Sequence, residues 1–393
     1  MIVEWSAYSE EIPEMKATPT GGNIAIYDIA DGIGEYEDVT LLLMQKPIFG
    51  RKLKHMVLAD TKNLYEEAPI DSDITDPKII RNEKMKYVFE KILSTNEFDI
   101  VNFQGGGALE TECIDICKKY DVPCVTTDHL FIGNHKDFEN YDESVDEERA
   151  LLNKTDVLIS VVSNGERNKL LRDYTEIKPE QVFAIPNGIR MPVPDDGDDP
   201  ECKKIISDMN SYAHGRKILA CSGTLLGRKN QLQLVDAWKY LSDDVKNNLV
   251  IVFLGKDNMN GKLQSAIKEN KLEKSLCYIG LLTPKQSMSV YKAADGIISV
   301  SKAEGLSLVF LEAMSVGKPL VFYRDSECAD DINDEKVVAF IEGRSDEAVA
   351  RGMERWYHGI WDSEYIKSYA LKNFSRDRMI KQYVEMFHKI VGR

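Results

Sequence analysis

The chain has 393 residues, of which 43% are hydrophobic, and a formal net charge of −15. This length predicts two domains, while the negative charge argues against general nucleic-acid binding, which needs clustered lysine and arginine. The apolar runs are too short to span a membrane, the first residues do not form a secretory leader, and the seven cysteines are scattered, so we expect a reduced, cytoplasmic protein.

The N-terminal half alternates apolar strands with helical patterns. Ile2 to Tyr8 predicts a first strand, and the paired glycines Gly21-Gly22 precede apolar residues at helical spacing. Glycine at a helix start lets a ligand approach the backbone closely. Further strands are predicted at 39–44, 98–103, 122–127, 156–162 and 181–186. Because these strands alternate with helices, an open parallel sheet is expected.

Three local features of this half could concern ligands. The basic stretch 51–54 is either a solvated loop or a contact with an acceptor or an anionic membrane surface. Asp71-Ser72-Asp73 has the Asp-x-Asp spacing of some metal sites, but it lies in a polar loop and we discount it. Cys113 and Cys117 lie one helical turn apart without a cluster that completes a metal site, so we interpret them as packing residues.

His129 follows the strand predicted at 122–127 and therefore lies at the carboxyl edge of the sheet. A histidine in this place serves either a structural or a functional role. The surrounding residues leave both roles open.

A change in composition marks the domain boundary. Asn187-Gly188 supplies a turn, and the chain then becomes rich in Pro, Asp and Gly before a short polar helical stretch. We predict an N-terminal domain over 1–190, a hinge over 191–215, a second domain over 216–363 and a final helix over 364–393.

The second domain begins with a predicted strand, Ile218 to Ser222, and a turn that contains Gly223, Thr224, Arg228 and Lys229. The turn does not match the P-loop pattern. Further strands are predicted at 249–254 and 277–280, and Leu281-Leu282 directly follows the second of these. These leucines either flank a ligand or belong to the core.

The most informative stretch is 294–321. The apolar run Gly296 to Val300 predicts a buried strand, and after the turn 301–305 a helical pattern continues until Gly317-Lys318-Pro319. In such a unit the helix N-terminus lies at the carboxyl edge of a parallel sheet. Its free amide groups and its dipole favour an anion there.

Two carboxylates flank this anion site. Glu304 lies in the turn, and Glu312 lies about two helical turns further on, where it can accept hydrogen bonds from hydroxyl groups. A ligand with phosphates flanked by sugars fits this arrangement. A nucleotide sugar is such a ligand.

The same stretch carries a family resemblance. EGLSLVFLEAMSVGKPLV, at 304–321, resembles the E-x7-E signature of retaining GT-B glycosyltransferases of family 4, commonly EGFGLVLLEAMACGKPVV. DVPCVTTDH, IKPEQVFAIPNGI and NFSRDRMIKQYVEMFHKIV are similar to other family segments. The resemblance implies an α/β GT-B fold of two Rossmann-like domains that face a central cleft. It also implies that the final helix crosses back to the N-terminal domain.

The resemblance implies retaining transfer of a sugar from a nucleotide-diphosphate sugar to an acceptor hydroxyl, with a UDP-sugar favoured over a GDP-sugar. The acceptor would be a glycan, a lipid-linked glycan or a protein, and no cofactor or metal is implied. Glu304, His129 and Lys229 would be catalytic. The implied donor-binding residues are Gly21, Gly22, Gly223, Thr224, Arg228, Lys229, Leu281, Leu282, Glu304, Gly305, Leu306, Ser307, Leu308, Val309 and Glu312.

The chain departs from the family pattern in several places. Thr224 replaces an arginine that neutralises the donor diphosphate, and Arg228 is a candidate to supply the missing charge. Leu130 and Arg190 each stand where the family often has aspartate, and the acidic loop 324–327 replaces a glycine-rich one.

Two alternatives remain at this stage. One is a GT-B sugar-nucleotide epimerase, which needs no acceptor, and the other is a non-catalytic, glycan-binding partner of an active homologue. For either, as for a transferase, the sequence favours the cytoplasm, with peripheral contact at the inner membrane face left open. Homo- and hetero-oligomers are also left open.

Overall fold

The structure is a computed structural model that describes residues 1–4, 21–43, 56–58, 61–133, 141–154, 157–190 and 199–392. The chain divides into two compact units. Described residues up to Asn187, together with those from Arg376 onward, form the first unit, and Gly188 to Ser375 form the second. The basic stretch 51–54 lies outside the described residues, as does the part of the predicted hinge from 191 to 198.

The first unit is built on a seven-stranded parallel sheet with the order β3-β2-β1-β4-β5-β6-β7. Its strands are β1 (Ile2–Glu4), β2 (Val39–Leu43), β3 (Met56–Leu58), β4 (Val101–Gln104), β5 (Cys124–Asp128), β6 (Ile159–Val161) and β7 (Val182–Ala184). Strand order reverses between β1 and β4, and ligands of open α/β sheets bind beyond the carboxyl ends of strands at such a point.

The described residues before the second unit form six α-helices. They are α1 (Gly21–Ile33), α2 (Lys62–Glu67), α3 (Pro77–Thr95), α4 (Ala108–Lys119), α5 (Tyr141–Leu152) and α6 (Asn164–Asp173). Asp76 caps α3 by accepting hydrogen bonds from the backbone N–H groups of Lys78 and Ile79. Cys113 and Cys117 are buried in the hydrophobic core beside the sheet, in agreement with a packing role.

The second unit contains a six-stranded parallel sheet with the order β10-β9-β8-β11-β12-β13. Its strands are β8 (Lys217–Ser222), β9 (Leu249–Leu254), β10 (Leu276–Tyr278), β11 (Gly296–Ile298), β12 (Leu320–Tyr323) and β13 (Val338–Ile341). All six residues of β9 are buried, as expected for a strand covered on both faces.

The helices of this unit are α7 (Pro200–Ala213), α8 (Leu232–Ala237), α9 (Asp243–Asn248), α10 (Lys262–Glu269), α11 (Pro284–Ala293), α12 (Leu308–Ser315), α13 (Asp346–His358) and α14 (Ser363–Phe374). The helical part of the predicted hinge is α7. Asp199 caps it and also pairs with Lys285 of α11 at 3.1 Å, so α7 packs as part of the second unit.

The predicted final helix is two helices. Ser375 is extended, at φ −69° and ψ 143°, and separates α14 from α15 (Arg376–Val391). The latter belongs to the first unit, where Arg376 donates hydrogen bonds to Glu35 and Asp31 at 2.9 and 3.2 Å.

Both sheets are parallel and flanked by helices, which confirms the predicted α/β architecture. Several element boundaries differ from expectation by one to three residues, and two of these concern the candidate ligand sites. Helix α1 begins at Gly21, so the paired glycines form its first turn instead of preceding it, and β11 ends at Ile298 instead of Val300. None of the described helices is long and apolar enough to cross a membrane.

Candidate functional site

The site in the second unit begins where β8 and β9 end. The N–H of Gly223 donates to the carbonyl of Leu254 at 2.9 Å, and Gly255 packs so closely that a Cβ there would lie 2.1 Å from the Gly223 carbonyl oxygen. Gly255 also has a φ of +137°, which favours glycine. The two turns are therefore pressed together. This fixes the start of the segment that carries Thr224, Arg228 and Lys229.

Lys229 and Glu304 contact each other although they lie 75 residues apart in the sequence. The ammonium of Lys229 donates a hydrogen bond to Oε1 of Glu304, and the guanidinium of Arg228 lies 3.9 Å from Oε2. The side chains of Lys229 and Glu304 are only 20% and 12% exposed. Three of the predicted site residues are thus brought together, and Gly223 lies directly beside Lys229.

The pKa of Glu304 is lowered. Burial alone would raise it, but the positive charges of Lys229 and Arg228 and the hydrogen bond from Lys229 outweigh that effect. Glu304 is therefore ionised at neutral pH, which keeps the pair charged.

Arg228 has a further contact that the sequence did not indicate. Its Nη1 donates to the carbonyl of Ala303 at 2.6 Å, and its own carbonyl accepts from the N–H of Lys302 at 2.9 Å. Arg344, which follows β13, also donates to this turn, to the carbonyl of Ser301 at 3.3 Å. The turn that carries Glu304 is therefore held by neighbouring strand ends.

Helix α12 begins at Leu308, and the side chain of its N-cap residue Ser307 makes no capping hydrogen bond. The first amide groups, those of Leu308 and Val309, are thus not covered by that side chain. Gly305, just before the helix, accepts a hydrogen bond from the buried thiol of Cys328 at 3.7 Å. An uncapped helix start at the carboxyl edge of a parallel sheet suits an anion.

Glu312 lies within α12 in a different environment. Burial raises the pKa of its carboxyl to about 7. Its charge in turn raises the pKa of Tyr291, after the larger effect of burial, so the two groups are near neighbours. The hydroxyl of Tyr291 lies 2.7 Å from that of Ser222. Among the described residues, no group donates a hydrogen bond to the Glu312 carboxylate, which leaves its oxygens available to a ligand.

Leu281 and Leu282 follow β10, as the sequence suggested. Leu281 is 48% exposed, which excludes a core position for it. Contact of Leu281 and Leu282 with the donor stays a prediction.

In the first unit, His129 follows β5 directly and its Nε2 lies 3.0 Å from the amide oxygen of Gln104. Burial lowers the pKa of His129 to about 4, so its ring is neutral at pH 7. Gly21 and Gly22 also belong to this unit, and their contact with a donor stays a prediction.

The residues that hold the segment after His129 were not predicted from the sequence. Four consecutive backbone N–H groups, from Leu130 to Gly133, each donate to a carboxylate of Asp128, Glu166 or Glu148; we call these three acids the carboxylate cradle. Lys169 is 1% exposed, pairs with Glu166 at 3.4 Å and donates to the Phe131 carbonyl. The sequence signal that could have revealed these residues is the occurrence of charged side chains at positions of α5 and α6 that are buried.

Other candidates receive no support as ligand sites. In the discounted Asp-x-Asp segment the N–H of Asp73 donates to the side chain of Asp71 at 3.0 Å, so Asp71 serves a local turn. Among the residues for which side chains are described, no group of three or more His, Cys, Asp or Glu is placed to hold a metal ion.

Two family models match the chain. Residues 203–373 match "Glycosyl transferases group 1", and residues 58–191 match "Glycosyltransferase Family 4". The first match contains the predicted residues of the second unit from Gly223 to Glu312. The second contains His129 and the carboxylate cradle.

Individual proteins are similar over part or all of the chain. The alpha-monoglucosyldiacylglycerol synthase of Streptococcus pneumoniae is 28% identical over 186 residues, which are 46% of this chain and 41% of that protein. An Escherichia coli enzyme, UDP-Gal:alpha-D-GlcNAc-diphosphoundecaprenol alpha-1,3-galactosyltransferase, is 30% identical over 37% of each chain. The chain therefore spans less than half the length of these curated relatives.

A solved structure covers the whole chain. The sucrose-phosphate synthase of Thermosynechococcus elongatus aligns over 100% of this chain and 99% of its own, with a TM-score of 0.75 and 15% identity. This likeness concerns the fold.

Proposed function

Because the chain belongs to the group 1 glycosyltransferases of family 4 type and has a GT-B fold, we propose that it is a retaining glycosyltransferase. It transfers a sugar from a nucleotide-diphosphate sugar to an acceptor hydroxyl, with retained anomeric configuration and without a metal ion. The donor binds to the second unit.

One observation carries this proposal. Lys229 and Glu304, which the family resemblance places among the donor-binding residues, contact each other in the segments that follow the adjacent strands β8 and β11. Adjacent strands of a parallel sheet end at the same edge, so both residues face the position beyond that edge. The pair lies beside the uncapped start of α12. This supports a site for a phosphate next to a sugar.

The groups around the pair suit the charge that develops in the reaction. Negative charge accumulates on the departing nucleoside diphosphate, and the catalyst must stabilise it with fixed positive groups and amide dipoles. Lys229 supplies a full positive charge, and the N–H groups of Leu308 and Val309 supply dipoles. Glu304 then accepts hydrogen bonds from the donor sugar. His129 of the first unit is the third catalytic residue in this proposal.

Glu312 completes the donor site in this proposal. Its carboxylate accepts hydrogen bonds from the hydroxyl groups of the nucleotide ribose. Leu281, exposed beside β10, flanks the base.

The relatives point to the classes of donor and acceptor to test first. One relative is named for a UDP-galactose donor and a diphosphoundecaprenol acceptor, and the other for a glucosyldiacylglycerol product. We therefore propose a UDP-sugar as donor and a lipid-linked acceptor, with soluble glycans and proteins as the other acceptors to include.

The test measures release of nucleoside diphosphate from a panel of UDP-, GDP- and ADP-sugars, with and without lipid-linked and soluble acceptors. We expect one donor to give release that depends on an acceptor and is unchanged by a chelator. NMR of the product anomeric proton then reports retention or inversion. Loss of activity with the chelator would overturn metal independence, and an inverted product would overturn retention.

Two other outcomes replace the proposal by a rival function. Conversion of the donor sugar to its epimer without an acceptor identifies an epimerase. No turnover of any donor, together with binding of a glycan, identifies a non-catalytic partner.

A further inference from the structure

Two polar side chains lie in the buried strand that neighbours His129. Asn102 and Gln104 of β4 are 1% and 5% exposed. They are two residues apart, so both point to one face of the sheet. Thr127 of β5 is the pairing partner of Gln104 in the adjacent strand β4, and His129 lies two residues after Thr127. The sheet therefore brings all four side chains into one row.

The first amide in this row has a fixed orientation. Asn102 Nδ2 lies 3.2 Å from the backbone carbonyl oxygen of Val125 and 2.8 Å from Oγ1 of Thr127. A carbonyl oxygen only accepts hydrogen bonds, so the NH₂ group of Asn102 must face Val125. Its Oδ1 therefore faces Gln104.

This orientation determines the next two groups. Gln104 must direct its Nε2 to Oδ1 of Asn102, to which it donates. Its Oε1 then faces Nε2 of His129 at 3.0 Å. Because an amide oxygen cannot donate, Nε2 of His129 must carry a proton. The neutral ring has only one such proton, so Nδ1 carries a lone pair.

We propose that Asn102 and Gln104 are positioning residues that hold His129 as its Nε2–H tautomer, so that Nδ1 accepts a hydrogen bond from a substrate hydroxyl. The part that concerns substrate rests on the proposed function. None of the described residues hydrogen-bonds to Nδ1. A hydroxyl donor satisfies this atom, whereas a substrate carboxylate or carbonyl in the same place meets a lone pair and is disfavoured. Nδ1 therefore selects a ligand group that donates a hydrogen bond, such as a hydroxyl.

The tautomer can be measured without any substrate. The full chain is labelled with ¹⁵N-histidine, and long-range ¹H–¹⁵N correlation spectra are recorded at pH 7, with His129→Gln identifying the His129 signals among the six histidines. We expect a pyrrole-type shift for Nε2 and a pyridine-type shift for Nδ1. The reverse pattern, or pyrrole-type shifts for both nitrogens, would overturn the proposal.

We call the hydrogen-bonded series Asn102, Gln104 and His129 the relay. Two variants test whether the relay sets the tautomer of His129. Gln104→Leu removes the acceptor, so we expect both His129 nitrogens to move toward exchange-averaged shifts. Gln104→Glu keeps the shape and an acceptor and adds a charge, so we expect Nε2–H to persist and the pKa of His129 to rise. His388, which contacts Glu37 at 2.6 Å, is an internal control whose signals should stay unchanged. Unchanged His129 signals in both variants would show that the relay has no influence.

An activity measurement tests the role of Nδ1. In Gln104→Leu we expect kcat/KM for the nucleotide sugar to fall about five- to tenfold, the effect of one hydrogen bond. The inhibition constant of the free nucleoside diphosphate should not change, because that ligand lacks the transferred sugar. A fall in kcat/KM that is matched by an equal rise in the inhibition constant would indicate a merely structural defect and would overturn the role of Nδ1. If the wild type turns over no donor while His129 is the Nε2–H tautomer, the relay stands and the proposed function fails.

Discussion

Glu304 and Glu312 show how neighbours decide the charge state of two carboxylates on one short segment. Both are largely removed from water, which favours the protonated form. Lys229 and Arg228 reverse this for Glu304, whose pKa is lowered, whereas no positive group in the described part of the chain offsets burial at Glu312, whose pKa is raised to about 7. Glu304 is therefore a permanent anion at neutral pH. Glu312 gains and loses its proton within the physiological range.

The charge of Lys229 can be tested by Lys229→Met, which keeps an unbranched side chain, one atom shorter, and removes the charge. We expect kcat to fall about 10²- to 10³-fold, the usual effect of removing one group that stabilises developing negative charge. Steady-state kinetics with the preferred nucleotide sugar measure this. The matched control is Lys262→Met at an exposed position of the same unit, for which kcat should stay within about twofold. Equal activity of both variants would remove Lys229 from the catalytic machinery.

Glu312 predicts a pH-dependent affinity for nucleotide. If the ionised carboxylate accepts the ribose hydroxyls, affinity for UDP should increase as pH rises from 6 to 8, through the pKa of about 7. Isothermal titration calorimetry across this range measures it. UDP has a phosphate group that titrates nearby, so the decisive quantity is the difference between the wild type and Glu312→Gln, which cannot ionise. Parallel profiles for the two proteins would contradict the assignment.

The same group affects stability in a defined direction. Because its folded-state pKa lies above the ordinary value of 4.5, the folded protein binds the extra proton, and this stabilisation is present at low pH and lost as pH rises through about 7. Urea unfolding should show that Glu312→Gln removes this contribution. A pH dependence of unfolding identical to that of the wild type would mean that Glu312 is not buried in solution.

The carboxylate cradle joins α5 and α6 to the segment after β5. Glu148 accepts from Gly133 at 3.1 Å and from the hydroxyl of Tyr174 at 2.7 Å, while Lys169 pairs with Glu166 in surroundings that exclude water. The charge of Glu148, after burial, helps to raise the pKa of Asp128 to about 6. Acids and a lysine thus replace backbone partners where the chain leaves the sheet.

Removing one partner from this buried pair should be costly. We expect Lys169→Met to lower the free energy of unfolding by about 3–5 kcal/mol, because the carboxylate of Glu166 loses its counter-charge. The control is Lys119→Met, which breaks the exposed pair with Glu90 and should cost less than about 1 kcal/mol. Chemical denaturation of both variants provides the comparison. Similar losses would mean that water reaches the cradle.

What the sequence could predict follows from how local each feature is. The strands and their parallel arrangement follow from the alternation of strands with helices. The resemblance placed Lys229 and Glu304 in one donor site, but their direct contact depends on which strands are adjacent, and no local pattern gives that. The position of Ser375, where one apolar periodicity contains two helices, was missed because the periodicity continues through it. The cradle and the pKa of Glu312 depend on burial by distant segments, which no local pattern encodes.

The chain enters the first unit a second time, because the residues from Arg376 onward follow the second unit and belong to the first. Helix α15 packs against α1, and its buried residues share a hydrophobic cluster with those of α1, β1 and β2. Arg376, 5% exposed, adds hydrogen bonds to Asp31 and Glu35. The first unit therefore combines segments from the beginning and the end of the sequence, and α15 contributes to its hydrophobic core.

This arrangement predicts an uneven effect of Met379→Ala, a substitution at a position that is 2% exposed. We expect it to destabilise the first unit by about 2–5 kcal/mol through the cavity it creates. Hydrogen–deuterium exchange should then quicken in peptides of α1, β1 and β2 and stay unchanged in peptides of β8 and β9, because α15 shares its hydrophobic cluster with the former set. Met353→Ala, at a buried position of α13 in the other unit, should give the reverse pattern. Uniformly faster exchange in both variants would show that the two units unfold as one.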